Sequence, residues 1–170
     1  MDLWALPLGE TSPGQPFPVL NSQFEETGAD VSPDGRWLAY ASDVNGGDEV
    51  YVRRLDAATR TVGEPVLVST GSGSRPRWRR DGAELFYQRS PEGSPRAEMM
   101  AVPVKVRGET LSFGAPTPLF SIRIAPSAVY RDYDVTRDGQ RFLVGSVLER
   151  ANATRAASIV LLNWMAELKR

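Results

Sequence analysis

Apolar residues fall in short stretches bounded by Gly, Pro, Asp and Ser, a pattern that suits many short strands better than a few long helices. Three Asp-Gly pairs organise it: Asp34-Gly35, Asp81-Gly82 and Asp138-Gly139, which are 47 and 57 residues apart. Each lies between two strand-like segments. Ala29-Asp30-Val31, Pro76-Arg77-Trp78 and Tyr133-Asp134-Val135 come before the pairs. Trp37-Leu38-Ala39-Tyr40, Glu84-Leu85-Phe86-Tyr87 and Arg141-Phe142-Leu143-Val144 come after them. Asp bonds back to the backbone and Gly accepts positive φ, so each pair predicts a tight turn. In Ser32-Pro33-Asp34-Gly35, the proline also presets the entry to the turn.

Two further series keep nearly the same period. Asp2-Leu3-Trp4-Ala5-Leu6 aligns with Glu49-Val50-Tyr51-Val52-Arg53 and then with Glu98-Met99-Met100-Ala101-Val102. Pro18-Val19-Leu20 aligns with Pro65-Val66-Leu67-Val68 and Pro118-Leu119-Phe120. The unit therefore reads as strand a, Asp-Gly turn, strand b, strand c and strand d. Leu38 and Tyr40 fall on one side of strand b, with Trp37, Ala39 and Ala41 on the other. Apolar residues on both sides predict a sheet covered on both faces. A repeat of this length with four strands is a propeller blade; a two-layer β-sandwich is the competing arrangement, and it needs no registered period.

The expected fold is all-β: a single partial β-propeller over residues 1–170, with about three and a quarter four-stranded blades that do not close into a ring. Residues 1–22 form the end of one blade. Residues 29–70 and 75–122 form full blades, and 129–165 form an incomplete blade of strands a, b and c. Repeat position predicts strand c over Ser158–Trp164, with Glu149–Ala157 as an enlarged b–c loop, although the Ala-rich stretch also has helical propensity. Closure normally removes exposed sheet edges. An open arc thus predicts a partner: the remainder of a longer propeller, or a second copy meeting the exposed blade edges.

Composition narrows the chemistry. The chain has no cysteine and no histidine, which excludes disulfides, Cys/His zinc sites and every histidine-based triad. No Gly-x-Ser-x-Gly elbow or Ser-x-x-Lys arrangement is present. No catalytic activity and no cofactor are expected. The net charge of -1 argues against a nucleic-acid surface, and no apolar run is long enough for a membrane span. Met1-Asp2 opens the chain without the basic and apolar regions of a secretory signal.

Val31-Ser32-Pro33-Asp34-Gly35-Arg36-Trp37-Leu38-Ala39-Tyr40, then Ser42-Asp43 and Glu49-Val50-Tyr51-Val52, resembles the WD-like repeat of TolB-type propellers. The segments around Asp81-Gly82 and Asp138-Gly139 resemble degenerate copies. Such repeats also occur in the propellers of prolyl-oligopeptidase-like peptidases and behind bacterial serine/threonine kinase domains. The stretch Asp2–Leu8, the Ser74–Tyr87 segment and the ending Val160–Arg170 are most similar to the kinase-associated tails. That resemblance implies a noncatalytic scaffold for protein interaction or sensing in a larger signalling protein, extracytoplasmic if membrane-anchored. The kinase motifs themselves are absent. The alternative is the accessory propeller of a prolyl-oligopeptidase-like hydrolase, gating its substrate.

Candidate sites are few. Asp34, Asp81 and Asp138 fall in separate repeats, so turn architecture accounts for them better than paired-carboxylate chemistry or metal binding. Asp43 and Asp48 lack the alternating ligands of a calcium loop. Arg75, Arg77 and Arg79 alternate in a predicted strand a and share one face there. The resemblance places strand a along the propeller channel, where these arginines would meet an acidic peptide or a phosphate. Asp132 and Asp134 are candidate polar contacts on the last strand a, and Asp30 occupies the same place as Asp134 in an earlier repeat. Salt bridges to acids such as Glu84, or solvation, account for the arginines more simply.

Overall fold

The structure, a computed structural model, describes residues 2–8, 14–56, 59–90, 94, 96–123, 133–150 and 153–162, with 146–150 and 153–162 described through their backbone. It is all-β, an open arc of four antiparallel sheets. The first sheet pairs β1 (Leu3–Ala5) with β2 (Phe17–Leu20). The second contains β3 (Glu26–Val31), β4 (Trp37–Ser42), β5 (Glu49–Asp56), β6 (Thr61–Val62) and β7 (Val66–Leu67). The third repeats that plan with β8 (Ser74–Trp78), β9 (Glu84–Arg89), β10 (Arg96–Arg107), β11 (Thr110–Phe113) and β12 (Thr117–Arg123). The fourth contains β13 (Tyr133–Val135), β14 (Arg141–Arg150) and β15 (Ala153–Leu162).

β6 and β11 are additions to the four-strand plan. In both full sheets the third strand runs past its d partner and folds back into a small hairpin. Arg107 opposes Thr110 across Gly108-Glu109, and Gly108 has φ +62°, the conformation that a two-residue hairpin loop needs. Within the expected loop over Glu149–Ala157, residues 149–150 and 153–157 are strand instead. β14 and β15 pair continuously from Arg141–Leu162 to Arg150–Ala153, so ladder hydrogen bonds override the helical propensity of the alanines.

The three turns share one construction. The Gly35 N–H donates to the Ser32 carbonyl, the Gly82 N–H to the Arg79 carbonyl and the Gly139 N–H to the Thr136 carbonyl, each at 2.8 Å. The glycines have φ of +74°, +73° and +71°, a region costly for a residue with a Cβ. Each aspartate then accepts the backbone N–H two residues ahead, from Arg36, Ala83 or Gln140. In the first and last turns, the Ser32 and Thr136 hydroxyls donate to the aspartate and accept the N–H five residues on. Arg79 replaces the hydroxyl in the middle turn, and its guanidinium grips both Asp81 oxygens.

The core lies between sheets. Leu38, Tyr40 and Tyr51 pack toward the first sheet, against Leu20 and Leu3. Trp37, Ala39, Val50 and Val52 pack the other way, against Trp78, Leu85, Tyr87 and Met100 of the third sheet. Phe86, Met99 and Leu119 then meet Tyr133, Phe142 and Val144 of the fourth. Every residue of β4 is buried, which follows from coverage of both faces of its sheet. The expected partial, open propeller is the fold observed.

Candidate functional site

The a strands β3, β8 and β13 bring equivalent repeat positions to one concavity of about 670 Å³. Its charged layer is Asp30, Arg77 and Asp134, one from each strand. A second layer is Val31, Trp78 and Val135, and a third, from the turns, is Pro33, Arg80 and Arg137. The repeat therefore builds this surface: the offsets of 47 and 57 residues that relate the Asp-Gly turns also relate the members of each layer.

Bulges set the approach of the strands. The β3–β4 register shifts between Thr27 and Asp30, and the β8–β9 register shifts between Ser74 and Arg77. Gly28 and Arg75 occupy equivalent places in those bulges, with φ of +63° and +55°. A Cβ on Gly28 would lie 3.2 Å from the Arg75 Cα, so the two bulges also touch. Bulges of this kind re-aim the side chains that follow them.

The bulge breaks the simple alternation expected for Arg75, Arg77 and Arg79, and the three go to different places. Arg75 donates from Nη1 to the Gln88 Oε1 at 3.3 Å, and its carbonyl accepts the Tyr133 hydroxyl at 2.7 Å. Burial lowers the Arg75 pKa from the usual guanidinium value, and raises that of Tyr133 far above the usual phenol value. Arg77 lines the concavity and is 7% exposed. Its Nη1 donates to the Pro76 carbonyl at 2.6 Å and to the Gly28 carbonyl at 3.4 Å, while its Nε is buried without a partner. Arg79 lies outside this lining and braces its turn through Asp81 and Glu84.

Asp134 lines the concavity, and its Oδ1 accepts the Val135 N–H at 2.8 Å. Asp132 lies outside the described residues. The turn aspartates serve their turns. The Arg79 guanidinium holds the Asp81 carboxyl below its usual range, and the Thr136 hydroxyl does the same for Asp138. Partial burial pushes Asp34 upward, but hydrogen bonds from Ser32 and Arg36 outweigh it and leave the carboxyl low.

Asp30 joins adjacent blades, its Oδ2 accepting the Trp78 N–H at 2.9 Å. Arg80 and Arg137 are the residues that sequence reasoning missed. Both immediately precede an Asp-Gly pair, and that shared position is the signal that identifies them. A separate concavity of about 580 Å³ at the opposite loops is lined by Gly46, Gly47, Asp48, Gly71, Ser72 and neighbouring residues. Among the described residues, no three His, Cys, Asp or Glu gather as a cation cage, and no helix is long and apolar enough to cross a membrane.

Antiparallel sheets packed one on the next, with a polar concavity at their a strands and turns, define a β-propeller domain. Residues 23–154 match the family described as prolyl oligopeptidase, N-terminal beta-propeller domain, and the chain belongs to that family. It is similar to TolB from Acinetobacter baumannii, at 18% identity and a TM-score of 0.59 over 85% of this chain and 32% of that one. Structures described as a prolyl endopeptidase and an oligogalacturonate lyase in complex with manganese also align. The first has 16% identity and a TM-score of 0.46, covering 91% of this chain and 25% of that one. The second has 18% identity and a TM-score of 0.49, covering 87% and 38%. The chain thus spans a quarter to two fifths of the length of these proteins. It matches no curated protein sequence.

Proposed function

We propose that the chain is the accessory propeller of a peptide-processing hydrolase, and that it receives and positions extended peptides without cleaving them. The observation that supports this most directly is the family match over residues 23–154. The physical arrangement agrees with it. Rigid sheets hold a polar concavity at one end of the a strands, and such a surface presents fixed donors and acceptors to an incoming backbone. Arg77 and Asp134 are the earlier candidates that face this space.

The end sheets carry exposed apolar residues, Trp4 at 58% and Leu143 at 49% exposure. These faces are where further blades of a longer ring, or a second copy, would stack. A signalling scaffold attached to a kinase is the other reading that the sequence raises. Neither the family match nor the similar structures named above involve a kinase, so the peptide-handling reading is preferred.

The test uses the full chain and fluorescein-labelled unstructured decapeptides, followed by anisotropy and mass spectrometry. Saturable binding with the peptide recovered intact supports the proposal. Cleavage of the peptide by the chain, or no saturable binding below millimolar concentration, overturns it.

A further inference from the structure

The three turns differ in how they use their charges. The Arg36 guanidinium pairs with Asp34, and the Arg79 guanidinium pairs with Asp81 and Glu84. Arg79 thereby engages both acids of its turn, beside Arg80. In the last turn, Asp138 is held by the Thr136 hydroxyl and the Gln140 N–H. Arg80 and Arg137 have no hydrogen bond or ion pair among the described residues, and both line the concavity.

The two aspartates of the lining are engaged with backbone. Asp30 caps the Trp78 N–H, and Asp134 caps the Val135 N–H. Arg77, by contrast, is buried and lines the same concavity with its Nε unpartnered. Three arginines against two aspartates leave the lining with a positive excess, concentrated toward the turns. That Nε is enclosed, so Arg77 adds its positive charge to the lining without offering this donor to the concavity. Guanidinium groups match the planar, two-oxygen geometry of a carboxylate and bind it more specifically than a point charge would.

We infer that this concavity is a carboxylate-recognition site, in which Arg80 and Arg137 hold a carboxylate of an extended peptide above the buried Arg77. The inference rests on the peptide-handling reading and adds its chemical class. The carboxylate has two sources, the peptide C-terminus or an acidic side chain. Arg80 and Arg137 are both exposed turn residues, so replacing them leaves the sheets and their core untouched.

The experiment is a calorimetric titration of the full chain with three forms of one unstructured octapeptide: free acid, C-terminal amide, and amide with one internal glutamate. The titrations are repeated with the Arg80→Gln/Arg137→Gln double variant, whose thermal melt confirms folding. The free acid, the glutamate-bearing amide or both are expected to bind the parent chain at least tenfold tighter than the plain amide. That preference is expected to fall below about threefold in the double variant. Preference for the free acid alone assigns the C-terminus as the source; recovery with internal glutamate assigns the side chain. Equal binding of all three forms overturns the carboxylate site while leaving peptide handling intact. A preference that survives in the double variant places the carboxylate elsewhere and overturns it too. If no form binds, the peptide-handling reading itself fails.

Discussion

Phe142 is the best place to test how the arc is held together. It is fully buried between the third and fourth sheets. Its ring meets Phe86 edge-on, with centroids 5.1 Å apart, and Phe120 edge-on at 5.3 Å. Tyr133 lies 6.4 Å away on its own sheet. Truncating a buried Phe to Ala costs about 3–5 kcal/mol. The two edge-to-face pairs, worth roughly 0.5–1.5 kcal/mol each beyond area, place Phe142→Ala toward the upper end. For a chain of this size, about 4 kcal/mol corresponds to a fall in Tm of roughly 8–16 °C. Stacked repeats couple mainly to their neighbours, so the loss should be local. Urea denaturation and hydrogen exchange measure both aspects. Amides of β13 and β14 should lose protection while those of β4 and β5 keep theirs. Leu143→Ser is the control, because the neighbouring side chain points outward and is half exposed. A Phe142→Ala variant within about 1 kcal/mol of the parent would refute the packing argument. Equal loss of protection across all four sheets would refute its locality.

Other consequences are as direct. Gly28→Ala puts a Cβ at φ +63° and 3.2 Å from the Arg75 backbone, so thermal melts should show a loss of about 1–2 kcal/mol or more. Ser32→Ala removes the acceptor for the Trp37 N–H and the donor to Asp34, and should cost about 1–2 kcal/mol in chemical denaturation. Burial, with Asp43 and Glu25 nearby, raises the Asp48 pKa against the opposing pull of Arg75. Its ionised form therefore opposes folding at neutral pH. Asp48→Asn should raise Tm there, with the gain vanishing below about pH 3, where the carboxyl is protonated in both states. The turn aspartates have the opposite sign. Asp81 and Asp138 titrate below the ordinary value of 3.8, so their contribution is present above that value and is lost as pH falls through their folded pKa. Acid titration of Asp81→Asn should show a shallower loss of stability than the parent.

The registered period made the fold legible. The Asp-Gly turns gave the strand order, and the two apolar faces of Trp37–Ala41 gave the stacking of sheets on both sides. Local chemistry hid the rest. The hairpins of β6 and β11 extend strand c beyond the repeat core. Alternation predicts a common face for Arg75, Arg77 and Arg79, but a bulge intervenes and Arg79 has already entered its turn. Repeat position carries more than alternation does: it relates Asp30 to Arg77 and Asp134, and it relates Pro33 to Arg80 and Arg137. The Ala-rich C-terminal segment shows the remaining limit, since the ladder partner that turns propensity toward strand lies outside the segment itself.

The central claim is that peptides enter at the concavity formed by β3, β8 and β13. The tryptophans report on it directly, because Trp78 lines that concavity while Trp4 is exposed on the first sheet. An NMR titration of the indole N–H signals with an unstructured peptide should move the Trp78 signal and leave that of Trp4 in place. Movement at Trp4 with Trp78 unchanged would contradict the account.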